Sequence, residues 1–193
     1  SILLAFLVLK NFNQNILINT ILISSALYLF FITLRDFFVK KYKNISQNIA
    51  HFGFSLLILS ILFNNLFASE IITNLKVGET FENSKFKIIF ESIDQKKEQN
   101  YNAIIANFSI LNSNGQEERL SPELRIYNQP VIATSEADIK TTLMSDKFIV
   151  INLVQNQDFF NVRYQVKSFM VWIWLSVILI SFGGIISFLK KRS

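Results

Sequence analysis

Residues 48–68 read NIAHFGFSLLILSILFNNLFA. The stretch is uncharged and predominantly apolar, and a helix of about 20 apolar residues crosses a bilayer. It therefore reads as a membrane span, yet it carries His51, the only histidine of the chain. Two more uncharged runs, Ile16 to Leu34 and Phe169 to Leu189, are long enough to span. A fourth, Ser1 to Leu9, is too short. The chain opens on Ser1 inside that apolar run, which predicts the cut end of another span and a C-terminal piece of a larger membrane protein. A cleaved signal peptide fits poorly, because neither a charged leader nor a small-residue cleavage site is present.

The expected order is a cut helix end at 1–9, a transmembrane helix at 16–37, a cytoplasmic loop at 38–47 and a helix with His51 at 48–68. An exported β domain at 69–167, a transmembrane helix at 168–189 and a cytoplasmic tail at 190–193 complete it. The fold class is thus transmembrane α-helices plus a small antiparallel all-β periplasmic domain. Charge supports the orientation. The chain is +5 overall, but residues 69–167 hold 11 Lys/Arg against 13 Asp/Glu. The basic excess lies at the membrane flanks, so no nucleic-acid partner is expected. Lys40, Lys41 and Lys43 follow one span and Lys190, Lys191 and Arg192 follow the last. The positive-inside rule assigns both groups to the cytoplasm, and residues 69–167 to the other side. Trp172 and Trp174 fit an aromatic belt at the outer end of the last span. With no Cys in the chain, disulfides and thiolate metal sites are excluded.

The exported segment alternates with period two, the mark of half-buried strands. SKFKIIFESI puts Phe86, Ile88 and Phe90 on one face, with Lys85, Lys87 and Glu91 opposite. FFNVRYQVK puts Phe160, Val162, Tyr164 and Val166 inward, and Asn161, Arg163 and Gln165 outward. Phe108 completes the expected core. LNSNGQEERL reads as a hairpin turn with Gly115 at positive φ. FIVINLV reads as a fully apolar strand, and TSEADIKT as one short helical piece with Ser135 as a cap. Six or seven strands suit a sandwich or barrel. No catalytic residue is expected, since the segment lacks His, Cys, a nucleophile elbow, a phosphate loop and paired carboxylates in a recognisable context. Glu123, Arg125 and Tyr127 alternate on one strand face, either as a solvated ion-paired surface or as a partner-docking site.

His51 lies about one turn inside its span. An ionisable residue there is a functional candidate by default. Three roles are open. A neutral imidazole can hydrogen-bond a neighbouring helix. It can relay protons, although only Asn64 and Asn65 follow on the same helix. It can also ligate haem iron, with the small neighbours Ala50 and Gly53 letting a flat macrocycle approach.

NIAHFGFSLLILSI resembles the Ala-His-(Leu/Phe)-Gly block that opens the C-terminal portion of the CcmF family of cytochrome c-type biogenesis proteins. Three further blocks follow in order. LSPELRIYNQPVIATSEADI is similar to the family's Pro-Glu-x-Arg-x-Tyr stretch and Glu-Ala-x-Ile. SDKFIVINL is similar to its Asp-Leu-Tyr-Val strand, and YQVKSFMVWIWLSVILISFGG resembles its Lys-Pro-Phe-x-x-Trp-Ile-Trp-Leu run and Gly-Gly. Ser168 departs from the pattern, standing where the family commonly has Pro. The resemblance covers residues 46–192.

The resemblance implies a part in haem lyase, which attaches haem covalently to apocytochrome c in the bacterial inner membrane. It implies the partners of that system: a haem chaperone, other cytochrome c maturation subunits, apocytochrome c and membrane lipid. It also implies that His51 is one axial ligand of a membrane-bound b-type haem, with its iron held between two histidines. Such a haem, with both axial positions filled, moves electrons and would reduce incoming haem iron. The second histidine, a tryptophan-rich segment and two periplasmic histidines of the family have no counterpart in these residues. This chain alone is therefore not expected to be a complete lyase. The alternative is a membrane-anchored periplasmic β module for binding or scaffolding, with no haem and with His51 merely packing.

Overall fold

The computed structural model describes residues 16–39, 44–112, 115–154 and 158–192. The run Ser1 to Leu9 and the lysines Lys40, Lys41 and Lys43 lie outside the described residues. The chain divides into a helical unit, which includes Leu143–Ser145 and Ser168–Ser193, and a β unit over Ala68–Thr142 and Asp146–Lys167.

The helical unit contains α1 (Ile16–Val39), α2 (Ile45–Phe67) and α3 (Met170–Arg192). Each has a stretch of 21–23 residues with mean hydropathy between 1.7 and 2.2, long enough to cross a membrane. At 1.5 Å per residue that is about 31–35 Å, against a hydrocarbon core of about 30 Å. The helices take up half of the loop expected over 38–47, because Phe37, Phe38 and Val39 continue the apolar run of α1 and α2 begins at Ile45. Asn44, at φ 59°, accepts the Asn48 amide and starts α2. Between α1 and α2, Ile23, Ala26, Leu27 and Leu59 are buried, with Phe30, Leu62 and Leu66 packed around them. The Thr33 and Ser55 hydroxyls meet at 2.7 Å in this interface. One hydroxyl donates to the other, and the accepting one donates in turn to a backbone carbonyl of its own helix, so neither polar group is stranded in an apolar contact.

Among the described residues the β unit is a sandwich of ten strands, more than the six or seven expected. One sheet has the order β1 (Ser69–Leu75), β10 (Phe160–Ser168), β9 (Ser145–Leu153), β8 (Asp138–Thr141). The other has the order β2 (Thr80–Glu82), β3 (Phe86–Lys97), β4 (Tyr101–Asn112), β6 (Glu123–Asn128), β7 (Val131–Glu136), with β5 (Glu117–Leu120) also on β4. Strand β4 serves two partners along one edge: Phe108–Leu111 face β5, and Tyr101–Ile105 face β6. The β4–β5 connection turns at Gly115, φ 75°, as expected for that hairpin.

Alternation fills the space between the sheets. Phe86, Phe90, Phe108 and Tyr164 are buried, and Phe160 packs against them. Phe90 and Phe108 are register partners, and their rings stack at 4.4 Å. Across the sandwich, Phe86 meets Tyr164 edge-on at 5.1 Å and Phe90 meets Phe160 at 5.7 Å. Offset and edge-to-face pairs of this kind add to the burial energy. A charged link also crosses between the sheets. Lys147 of β9 donates to Glu118 of β5 at 2.6 Å, with side chains only 14% and 11% exposed. Burial raises the Tyr164 phenol well above its ordinary pKa, and the nearby Glu118 charge adds to this.

Two expectations fail here. TSEADIKT is not helical; it is the end of β7 and all of β8, broken only at Ala137. Its Ala, Glu and Lys favour a helix locally. The pairings of Thr134–Glu136 with Arg125–Glu123 and of Asp138–Thr141 with Ile149–Asp146 override that preference. Ser135 caps no helix; it bonds to Asn152 at 2.6 Å. Gln165 is not an open outward residue but 7% exposed. It stands opposite Glu70 of β1, whose carboxyl is held below its usual pKa by Gln165 first and by Arg163, 2.5 Å away, second. That contribution is present above the ordinary carboxylate pKa and lost as pH falls through the lowered one.

Truncating Phe90 leaves a cavity at the stack. Phe90→Ala should cost about 3–5 kcal/mol, whereas Val131→Ala, at a side chain 82% exposed on edge strand β7, should cost within about 0.5 kcal/mol. Denaturant melts of the chain in micelles, followed by strand circular dichroism, check this; coincident midpoints would contradict the packing.

Candidate functional site

His51 is fixed by the way α2 is held on two sides. One side faces α1 through Ser55 and Leu59, as above. The other faces α3, and there the chain has small residues. A Cβ added to Gly183 of α3 would lie 2.8 Å from both the Ala50 amide nitrogen and the Ser46 carbonyl oxygen. A Cβ added to Gly53 of α2 would lie 3.0 Å from Leu179 Cβ. The backbones meet almost directly, the small-residue packing that membrane helices use when no hydrophobic gain separates lipid from protein.

This corrects the expected role of Ala50 and Gly53. They do not make room beside His51; α3 uses them. Successive helical residues turn by about 100°, so Gly53 and His51 point about 160° apart. The sector left to His51 is a stripe at alternating spacings of four and three residues: Gln47, His51, Phe54, Ile58, Ile61 and Asn65. Phe54 is 54% and Ile61 50% exposed, and Gln47, His51 and Asn65 are exposed as well. Ile58 is half-buried against the α1 contact. Among the described residues, the imidazole therefore stands on a face of α2 that neither α1 nor α3 covers, flanked by an amide one turn before it and apolar groups after it.

That arrangement suits one axial ligand and one wall of a flat, apolar-edged group such as haem. A neutral imidazole offers one ring nitrogen to a metal and leaves the other to a hydrogen-bond acceptor. No group of three or more His, Cys, Asp or Glu that could hold a metal ion occurs among the described residues. His51 is the only histidine of the chain, so a second imidazole ligand would come from another part of the assembly. Near the start of α2, Asn44, Ser46, Gln47, Ser187 and Lys190 line a polar pocket of about 370 Å³.

The second candidate, on the β unit, is Glu123, Arg125 and Tyr127 of β6. The strand brings all three to one face. Arg125 donates to Glu123 at 2.8 Å, both side chains about 30% exposed. The Glu123 hydrogen bond, and then Tyr127, hold the guanidinium proton more firmly than usual. The structure adds a residue that spacing along β6 could not reveal. Tyr101 of β4 is the register partner of Tyr127, its ring lies 5.4 Å away, and Arg125 sits 5.1 Å over it. The signal available in the sequence was the Tyr just after the KKEQN turn, but only β4–β6 register couples it to β6. On the opposite face of these strands, Gln95, Asn102, Ile104 and Ile126 contribute to a pocket of about 480 Å³.

Residues 66–168 match the family described as CcmF C-terminal beta-sandwich. A cytochrome c-type biogenesis protein, ccl1 of Rhodobacter capsulatus, is 32% identical over 117 residues, covering 61% of this chain and 18% of that protein. CcmF of Pseudomonas fluorescens is 25% identical over 146 residues, covering 76% of this chain and 22% of its own length. NrfE of Haemophilus influenzae is 22% identical over 173 residues, covering 89% and 27%. The chain thus spans between 18% and 27% of the length of these relatives. A solved structure titled Cytochrome c Heme Lyase CcmF has the same fold, with a TM-score of 0.67 at 17% identity over 94% of this chain and 32% of the other.

The α2–α3 contact has a built-in control. Gly183→Ala should force the helices apart and cost about 1–3 kcal/mol, whereas Gly184→Ala, where an added Cβ meets nothing within 4 Å, should be neutral or stabilising. Thermal unfolding of the two variants in micelles checks this. Equal destabilisation would mean that the backbones do not meet at Gly183.

Proposed function

Because this chain belongs to the CcmF family and carries its C-terminal β-sandwich, we propose that it is the C-terminal part of a cytochrome c haem lyase. In this reading His51 is an axial ligand of a b-type haem held in the bacterial inner membrane. The single observation that supports it is the open sector of α2: α1 packs on one side of the helix, α3 on another, and the imidazole stays exposed. A span that used its histidine only to bind a neighbour would be expected to turn it toward α1 or α3.

A haem held there would supply one-electron chemistry, its ferrous iron becoming ferric as incoming ferric haem iron is reduced to ferrous. The residues of this chain act around it. His51 offers a ring nitrogen to the iron, and Gln47, one turn away, is the nearest amide on the same stripe. Phe54 and Ile61 keep water from the apolar edge of the group. The β-sandwich contributes docking in the periplasm: the Tyr101, Arg125 and Tyr127 cluster, with Glu123, presents aromatic faces and a cation already held in place. Its partners are the haem chaperone, the other cytochrome c maturation subunits and apocytochrome c. The cytoplasmic side carries the lysine groups around residues 40–43 and 190–192.

Substitution of His51 in the full-length protein tests the reading. His51→Ala should abolish the low-spin b-type spectrum, and His51→Gly with added imidazole should restore part of it. Membrane insertion should not suffer, since Ala is more easily accommodated in a span than His. An unchanged low-spin spectrum in His51→Ala would remove His51 from the iron and favour a haem-free anchored module.

A further inference from the structure

The turn between β8 and β9, TTLMS at 141–145, carries two of the most exposed apolar side chains of the chain. Leu143 is 68% and Met144 61% exposed. Leu143–Ser145 clusters with the helical unit, although both strands it joins belong to the sandwich. Two bonds account for this. The Leu143 carbonyl accepts the Trp172 indole N–H at 2.9 Å, and the Met144 carbonyl accepts the Phe169 amide at 2.8 Å. Phe169 is itself the first cap of α3, accepting the Ile173 amide at 3.1 Å, and its ring packs on Phe63 and Phe67.

These contacts give the turn a depth. The span of α3 runs Met170–Lys190, so Trp172 lies in its first turn, at the edge of the hydrocarbon. Trp174, 64% exposed, lies beside it, and tryptophans concentrate at that boundary. The turn bonded to Trp172 shares its level. Residues 141–145 bear no charge. Irregular backbone enters hydrocarbon only where its polar groups are paired, and here Trp172 of α3 and Phe169 just before it donate to two successive carbonyls. An exposed Leu-Met pair is costly in water and favourable in the acyl–headgroup boundary.

We infer that the 142–145 turn is a membrane-inserted anchor, with Leu143 and Met144 immersed in the interfacial region of the leaflet at the start of α3. The occupant of this apolar surface is lipid, because the surface continues the lipid-facing start of the span. The bonds of the turn use backbone carbonyls, so its side chains can be exchanged without breaking them.

Nitroxide labels at Leu143→Cys and Met144→Cys, introduced one at a time, test this in the full chain reconstituted in phosphatidylcholine–phosphatidylglycerol vesicles. The chain has no other cysteine to label. Collisions with oxygen should exceed those with a water-soluble nickel chelate at 143 and 144. The order should reverse at Val131→Cys, which is apolar and exposed on β7. As a second measurement, the unsubstituted chain is irradiated with a diazirine-bearing lipid, and label should be recovered on the peptide containing Leu143 and Met144. Nickel-dominated collisions at 143 and 144, or shielding from both reagents by protein, would overturn the inference, as would an unlabelled peptide.

Discussion

The contact on which the helical unit depends is the one at Gly183. No side chain separates α3 from α2 there, and the backbone of one helix lies against the Ser46 carbonyl and the Ala50 amide of the other. A contact that close fixes rotation as well as distance. With Gly53 turned to Leu179 and with Ser55 bonded to Thr33 on the remaining side, α2 has only one rotational setting. His51 is exposed as a consequence of that setting. Its exposure is therefore a product of packing on the other sectors of α2.

The sandwich depends on a different constraint, the filling of a narrow space between two sheets. Phe90, Phe108 and Tyr164 fill it, and the buried Lys147–Glu118 pair ties β9 to β5 within it. Removing either charge would leave the other without its counter-charge, which costs more than the pair itself contributes. A rigid platform of this kind suits display of surface groups such as the Arg125 guanidinium over the Tyr101 ring. Rotation of α2 and rigidity of the sheet thus serve the same end by separate means, each holding a chemical group at a defined place.

Much of this was legible from local pattern. Runs without charge marked the three helices, and period-two alternation marked the inward faces of β3 and β10, down to Phe86, Phe90 and Tyr164. What local pattern missed depends on partners remote in the chain. TSEADIKT has helical composition, and only pairing with β6 and β9 makes it strand. Gln165 sits at an outward position by parity, yet Glu70 of β1 covers it. Ala50 and Gly53 are small, and sequence alone could not say whether a cofactor or a helix would use the space. Tyr101 joined the Arg125 cluster only through β4–β6 register. His51 was conspicuous from the start as the sole imidazole, but the direction it faces depends on a contact with Gly183, more than a hundred residues away.

The rotation of α2 is the central claim, and disulfide trapping measures it directly in a chain that has no cysteine of its own. Gly53→Cys paired with Leu179→Cys should oxidise readily in the membrane, since the two Cβ positions lie 3.0 Å apart, slightly inside the usual disulfide separation of about 3.5–4.5 Å. His51→Cys paired with Leu179→Cys should stay reduced under the same treatment. Cross-linking through position 51 with none through position 53 would mean that the imidazole faces α3, and the open-face account of the site would be wrong.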